Sequence, residues 1–149
     1  MTDFHPALSV GIEEDLLPLS VLLQRRGVAH RIFEDQGRQV LAVLNYISQM
    51  ATFWRRSVYA QLGPLDEQLH YTMDYEYWLR IGKHYRLHTL PQALAAFRLH
   101  ASSKSGTTAR KQFLEQYQVA ARTQPPALLL ALHRLHNWLS ILVYSQKIK

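Results

Sequence analysis

Asp74-Tyr75-Glu76-Tyr77-Trp78-Leu79-Arg80 is the stretch that decides how this chain is read. Its period is helical. Trp78 follows Asp74 by four residues and Arg80 follows Glu76 by four, so each pair shares a helix face. Glu76 and Arg80 are expected to form an i,i+4 ion pair worth roughly 0.3–0.5 kcal/mol. Asp74 stands at the expected helix start, where a carboxylate accepts from free N–H groups and is favoured by the helix dipole. Beside aromatic walls the same carboxylate can serve as a general base. Cap and base both remain open from the residues alone.

Outward from that stretch, the totals bound the answer. The chain has 149 residues, of which 48% are hydrophobic, so it can build one real core or two small ones. It has no cysteine, which excludes structural disulfides and thiolate metal sites. No basic-then-apolar leader is visible at Met1, and no apolar run reaches the roughly 18–20 residues needed to span a bilayer. A cytoplasmic location is expected, with attachment at a membrane surface as a variant. The net charge of +6 is unevenly placed. Residues 1–43 hold four basic and six acidic side chains, and residues 44–149 hold thirteen and five. That shift suggests a boundary near Val43 and, beyond it, a preference for anionic partners. The basic residues are dispersed and match no nucleic-acid-binding module, so nucleic acid is not expected as a partner.

In chain order, a short strand is expected at Leu8–Val10. A helix follows from Glu13, with Leu16, Leu19, Leu22 and Leu23 as its stripe and Gly27 beyond its end. His30–Phe33 and Gln39–Val43 read as the strands of a hairpin around Asp35-Gln36-Gly37. Tyr46–Phe53 reads as strand or extended, and Arg55–Leu62 as a short helix ended by Gly63-Pro64. The Asp74 helix should fade near Gly82–Tyr85. Arg86–Leu90 reads as a strand, and Ala93–Leu99 as a strand or short buried helix. Thr108–Arg122 is helical, Pro125-Pro126 break it, and Ala127–Tyr144 forms a last helix. That helix is very apolar at Leu128–Leu132 and basic or aromatic at His133, Arg134, His136 and Trp138. It is expected to cover the core with its apolar side, the other option being an anionic membrane interface.

Two resemblances attach to these pieces. Gln49-Met50-Ala51-Thr52-Phe53-Trp54-Arg55-Arg56, Leu62-Gly63-Pro64-Leu65-Asp66-Glu67, Met73 through Arg80, Leu94 through His100 and Ser102-Ser103-Lys104-Ser105 stand in that order. Together they resemble the C-terminal half of a family 2 glycosyltransferase of the GT-A type, over about half the chain. The resemblance implies sugar transfer from a nucleotide-sugar to a hydroxyl acceptor, with Asp74 as the catalytic base. It implies substrate contacts at Trp54, Arg55, Glu76, Arg80, Ser103 and Lys104, and a weak metal position at His100. A divalent metal, Mg or Mn, belongs to a complete relative, whose Asp-x-Asp motif and nucleotide-binding half are not found here. Such a piece alone is expected to be inactive.

Leu17 through Leu23, Gly27-Val28-Ala29-His30-Arg31-Ile32 and Gly37 through Val43 resemble the small cytosolic N-terminal domain of bacterial rhomboid proteases. This implies a non-catalytic interaction module as the alternative function. The fold class expected from both resemblances is α/β (α+β): a truncated GT-A-like half with C-terminal helices, preceded by a small helix–hairpin unit. The expected divisions are 1–43 (rhomboid-like), 44–123 (glycosyltransferase-like) and 124–149 (amphipathic helix).

Overall fold

The structure is a computed structural model, and it describes residues 38–88 and 108–147. Among these residues every regular element is helical, and no strand is present. The elements are α1 (38–43), a 3₁₀ turn at Gln49–Ala51, α2 (Arg56–Leu62), α3 (Met73–His84), α4 (Ala109–Arg122) and α5 (Ala127–Lys147). The expected α/β, GT-A-like class is thereby corrected to a helical one.

The correction has local causes. Gln39–Val43, expected as a strand, is helix α1. One polar residue followed by four apolar ones is too short a run to separate a period of 2 from one of 3.6. Leu41, Ala42 and Leu44 are all buried, a grouping that one helix turn and the residue beyond it provide. Tyr46–Phe53 is no strand: it contains the 3₁₀ turn, whose flanking residues Ser48 and Thr52 are extended. Residues 86–88 have no regular structure. The elements expected at Leu8–Val10, from Glu13, at His30–Phe33 and at Ala93–Leu99 lie outside the described residues, as does the end of the strand expected at Arg86–Leu90.

The helices downstream form where the turn chemistry places them. Gly63 ends α2 at φ 78°, a backbone conformation that only glycine adopts without strain, while its N–H bonds the Tyr59 carbonyl at 2.9 Å. Thr123 and Gln124 close α4 by bonding Ala120 and Ala121, and Pro125-Pro126 separate it from α5. So short a connection makes α4 and α5 antiparallel neighbours.

The core gathers on α3. Tyr75, Tyr77 and Trp78 are fully buried, with Leu79 and Ile81 beside them, and Leu41, Val58, Leu69, Val119 and Ala120 pack around them. Each large ring contributes on the order of 150–250 Å² of buried surface. Leu41 of α1 reaches α3 at Gly82, where a Cβ would stand 3.5 Å from its Cδ1.

Candidate functional site

The candidate site is the N-terminal half of α3 and the elements that close on it. Thr72, not Asp74, is the N-cap residue of α3, and its side chain makes no cap bond. Glu115 of α4 instead holds the segment that leads into the helix. Its carboxylate accepts from the N–H groups of His70 (3.2 Å), Tyr71 (2.8 Å) and Thr72 (2.8 Å) and from the Thr72 hydroxyl (2.7 Å). Burial pushes the Glu115 carboxyl up, but these four bonds outweigh it and leave its pKa below the ordinary value.

Asp74 sits one residue inside the helix start, and its Oδ1 accepts from the Tyr75 N–H at 2.7 Å. Burial raises its pKa above the usual carboxylate value, against the lowering effect of the Tyr75 and Asp74 backbone N–H groups. Helical spacing puts it on the face of Trp78, four residues on. Trp54, 39% exposed, packs its ring 5.4 Å from Trp78 and 5.6 Å from Tyr77, centroid to centroid. The buried Tyr77 hydroxyl and Trp78 indole N–H find no hydrogen-bond partner. Trp54, Tyr77 and Trp78 thus form one aromatic corner.

Arg80 and Glu76 form the expected ion pair, 2.8 Å from Nε to Oε1. The guanidinium does more than that pair. Nη1 donates to the Leu62 carbonyl and Nη2 to the Pro64 carbonyl, both at 2.7 Å, and the group lies 4.7 Å over the Tyr77 ring. Each of its three nitrogens therefore binds within the fold, tying the end of α2 to α3. Arg55 is the exposed N-cap residue of α2. His100, Ser103 and Lys104 lie outside the described residues. Among the described residues no group of three or more His, Asp or Glu side chains is arranged to hold a metal ion.

The polar contacts least visible in the sequence join α1 to the rest. A helix leaves its last carbonyls without intrahelical partners. At the end of α1, the Val40 carbonyl takes the Leu44 N–H (2.7 Å). The Leu41 carbonyl takes the Tyr75 hydroxyl (2.6 Å), and the Ala42 carbonyl takes Nδ1–H of His133 (2.8 Å). Two side chains from α3 and α5 thus cap α1 across the expected boundary at Val43. His133 is 1% exposed and stands beside the Tyr75 and Tyr117 rings. Burial lowers its pKa, the bond to Ala42 opposes that, and burial prevails. It is a neutral core residue rather than the surface cation expected from the sequence. One turn on, Asn137 is also buried and donates to the Phe113 carbonyl at 2.7 Å. Glu115 had one legible signal: it is the single acid in a basic helix. His133 had none, because a histidine among leucines reads equally well on either face.

The described residues thus form a helical core whose polar side chains mostly bind its own backbone. Residues 4–60, less than half of the chain, match the family model described as the rhomboid N-terminal domain. No curated protein and no solved structure matches the chain. The rhomboid-like resemblance is thus supported, over a longer segment than the residues first suggested. The glycosyltransferase resemblance gains no support from any of these comparisons. Among the described residues no helix is long and apolar enough to cross a membrane.

Proposed function

We propose that this chain is a non-catalytic interaction module related to the cytosolic domain of rhomboid proteases, with the matched segment and α3–α5 sharing one helical core. The observation that carries this reading is the match over residues 4–60. The capping of α1 by Tyr75 and His133 supports the shared core, because both bonds join the matched segment to helices beyond it. The commitment of Arg80 and Glu115 to backbone groups supports a binding role over chemistry at α3. A cytoplasmic setting accords with the general character of that domain.

A second reading keeps sugar transfer, with Asp74 as base and Trp54 and Arg55 toward the acceptor. One observation favours it: burial holds the Asp74 carboxyl above the usual carboxylate range at the start of α3, which suits a group that takes up a proton. One experiment separates the two. The full chain is incubated with a panel of nucleotide-sugars, a divalent metal and hydroxyl acceptors, in parallel with Asp74→Asn. The module reading expects no turnover in either protein. Turnover in the parent that disappears in Asp74→Asn establishes the transferase reading instead.

A further inference from the structure

Helix α5 is apolar on both sides, and its two buried residues over 127–142 are polar. Its buried side carries His133 and Asn137, bonded to Ala42 and Phe113. Its outward side carries Leu128, Leu132, Leu135 and Leu139, with Trp138 beside them, each between 43 and 71% exposed. The four leucines are separated by steps of four, three and four residues, and the register runs on to Leu142. That spacing is the seam of a two-helix coiled coil, a 3.5-residue repeat that keeps one face turned to a partner helix.

We infer that α5 pairs with α5 of a second copy of this chain. Three observations choose that occupant. The seam is self-complementary, as a two-fold interface requires, since identical leucine knobs meet identical holes. The positions flanking it are Leu129, Ala131, His136 and Trp138, and no acidic residue or lysine lies along 127–142, so two copies meet without opposed like charges. Five large apolar side chains exposed by 43–71% on one face give such a pairing the means to approach the roughly 1,000 Å² that a specific interface needs. A lipid surface is the weaker occupant. A helix lying in a membrane turns a Lys- and Arg-rich face to water, whereas the polar face of α5 is spent on the core and Arg134 is its one exposed cation over 127–142.

This pairing deepens the interaction-module reading by naming the partner, and its test is independent of turnover. Sedimentation velocity of the full chain across a concentration series should show a reversible dimer in the micromolar range. Leu132→Glu with Leu139→Glu should raise the dissociation constant roughly 100-fold or more, because charges then face each other across the seam. Both leucines point outward, so the helical circular dichroism and the melting of the monomer should be unchanged. Leu135 lies at the centre of the seam, and the chain has no other thiol, so Leu135→Cys should form an interchain disulfide under mild oxidation. A wild-type chain that stays monomeric throughout overturns the inference, and so does a dimer indifferent to the two glutamates. A monomer that pellets with neutral or anionic vesicles through the same leucines assigns the face to lipid and equally overturns it. Absence of turnover with a monomeric chain would sink the pairing and leave the module reading standing.

Discussion

Replacing His133 tests how α1 is held. Its Nδ1–H binds Ala42, so the ring is in the Nδ1–H tautomer and its Nε2 is buried without a partner. His133→Ala removes a buried ring and leaves the Ala42 carbonyl unpaired. The cavity term is about 2–4 kcal/mol and the orphaned carbonyl about 1–3 kcal/mol, with overlap between them. A loss near 3–5 kcal/mol is expected, a large part of a small domain's stability. His133→Asn keeps an N–H donor near the Nδ1 position and should cost clearly less. Acidification gives a second, independent signature. The folded pKa of His133 lies below the ordinary 6.5. Above 6.5 both states are neutral and its contribution to stability is complete. As pH falls from 6.5 to the folded value, the unfolded chain takes up a proton that the folded chain resists, so stability is lost across that window. His136, lowered chiefly by its own burial, acts in the same direction. Urea denaturation followed at 222 nm, at pH values on either side of this window, should show an acid loss that shrinks but does not vanish in His133→Asn. An unchanged acid loss in that variant, or a cost below about 1 kcal/mol for His133→Ala, would refute the capping role.

Three further outcomes are expected. Glu115→Ala should cost about 2 kcal/mol, discounted for its partial exposure, because it deprives three backbone N–H groups and the Thr72 hydroxyl of one acceptor; in the parent, this contribution is complete above pH 4.5 and is lost as pH falls through the lowered folded value, which acid titration of the two proteins would compare. Gly63→Ala should destabilise by about 1–3 kcal/mol in thermal melts, through backbone strain alone, since no atom lies within 4 Å of the added Cβ. Gly82→Ala should stabilise by roughly 0.5–1 kcal/mol in the same melts, because a helix-interior glycine is removed and its new methyl meets Leu41 at ordinary contact distance.

What was legible in the sequence was local. The ends of α2, α3 and α4 and the start of α5 follow from Gly63, Pro125 and Pro126, and from apolar spacing, all properties of neighbouring residues, whereas α5 runs on to Lys147, past the end expected at Tyr144. The Glu76–Arg80 pair follows from helix geometry in the same way. What was not legible was set by tertiary contacts. A five-residue run such as Gln39–Val43 carries no period of its own, and here the caps from Tyr75 and His133 accompany the helix. The segment leading into α3 is held by Glu115, more than forty residues along the chain from Thr72. The orientation of α5 was inverted because burying His133 and Asn137 requires specific partners, Ala42 and Phe113, that spacing does not reveal. Asp74, expected as the N-cap of α3, lies in its first turn, because the N-cap position is Thr72, two residues earlier.

The shared core is tested most directly by native-state hydrogen exchange at the Leu44 amide, which binds Val40 at 2.7 Å at the very end of α1. If the matched segment and α3–α5 form one unit, this amide should exchange with the same opening free energy as the amides in the middle of α3, and His133→Ala should lower both together. An amide at Leu44 that exchanges freely while α3 and α5 remain protected would contradict it.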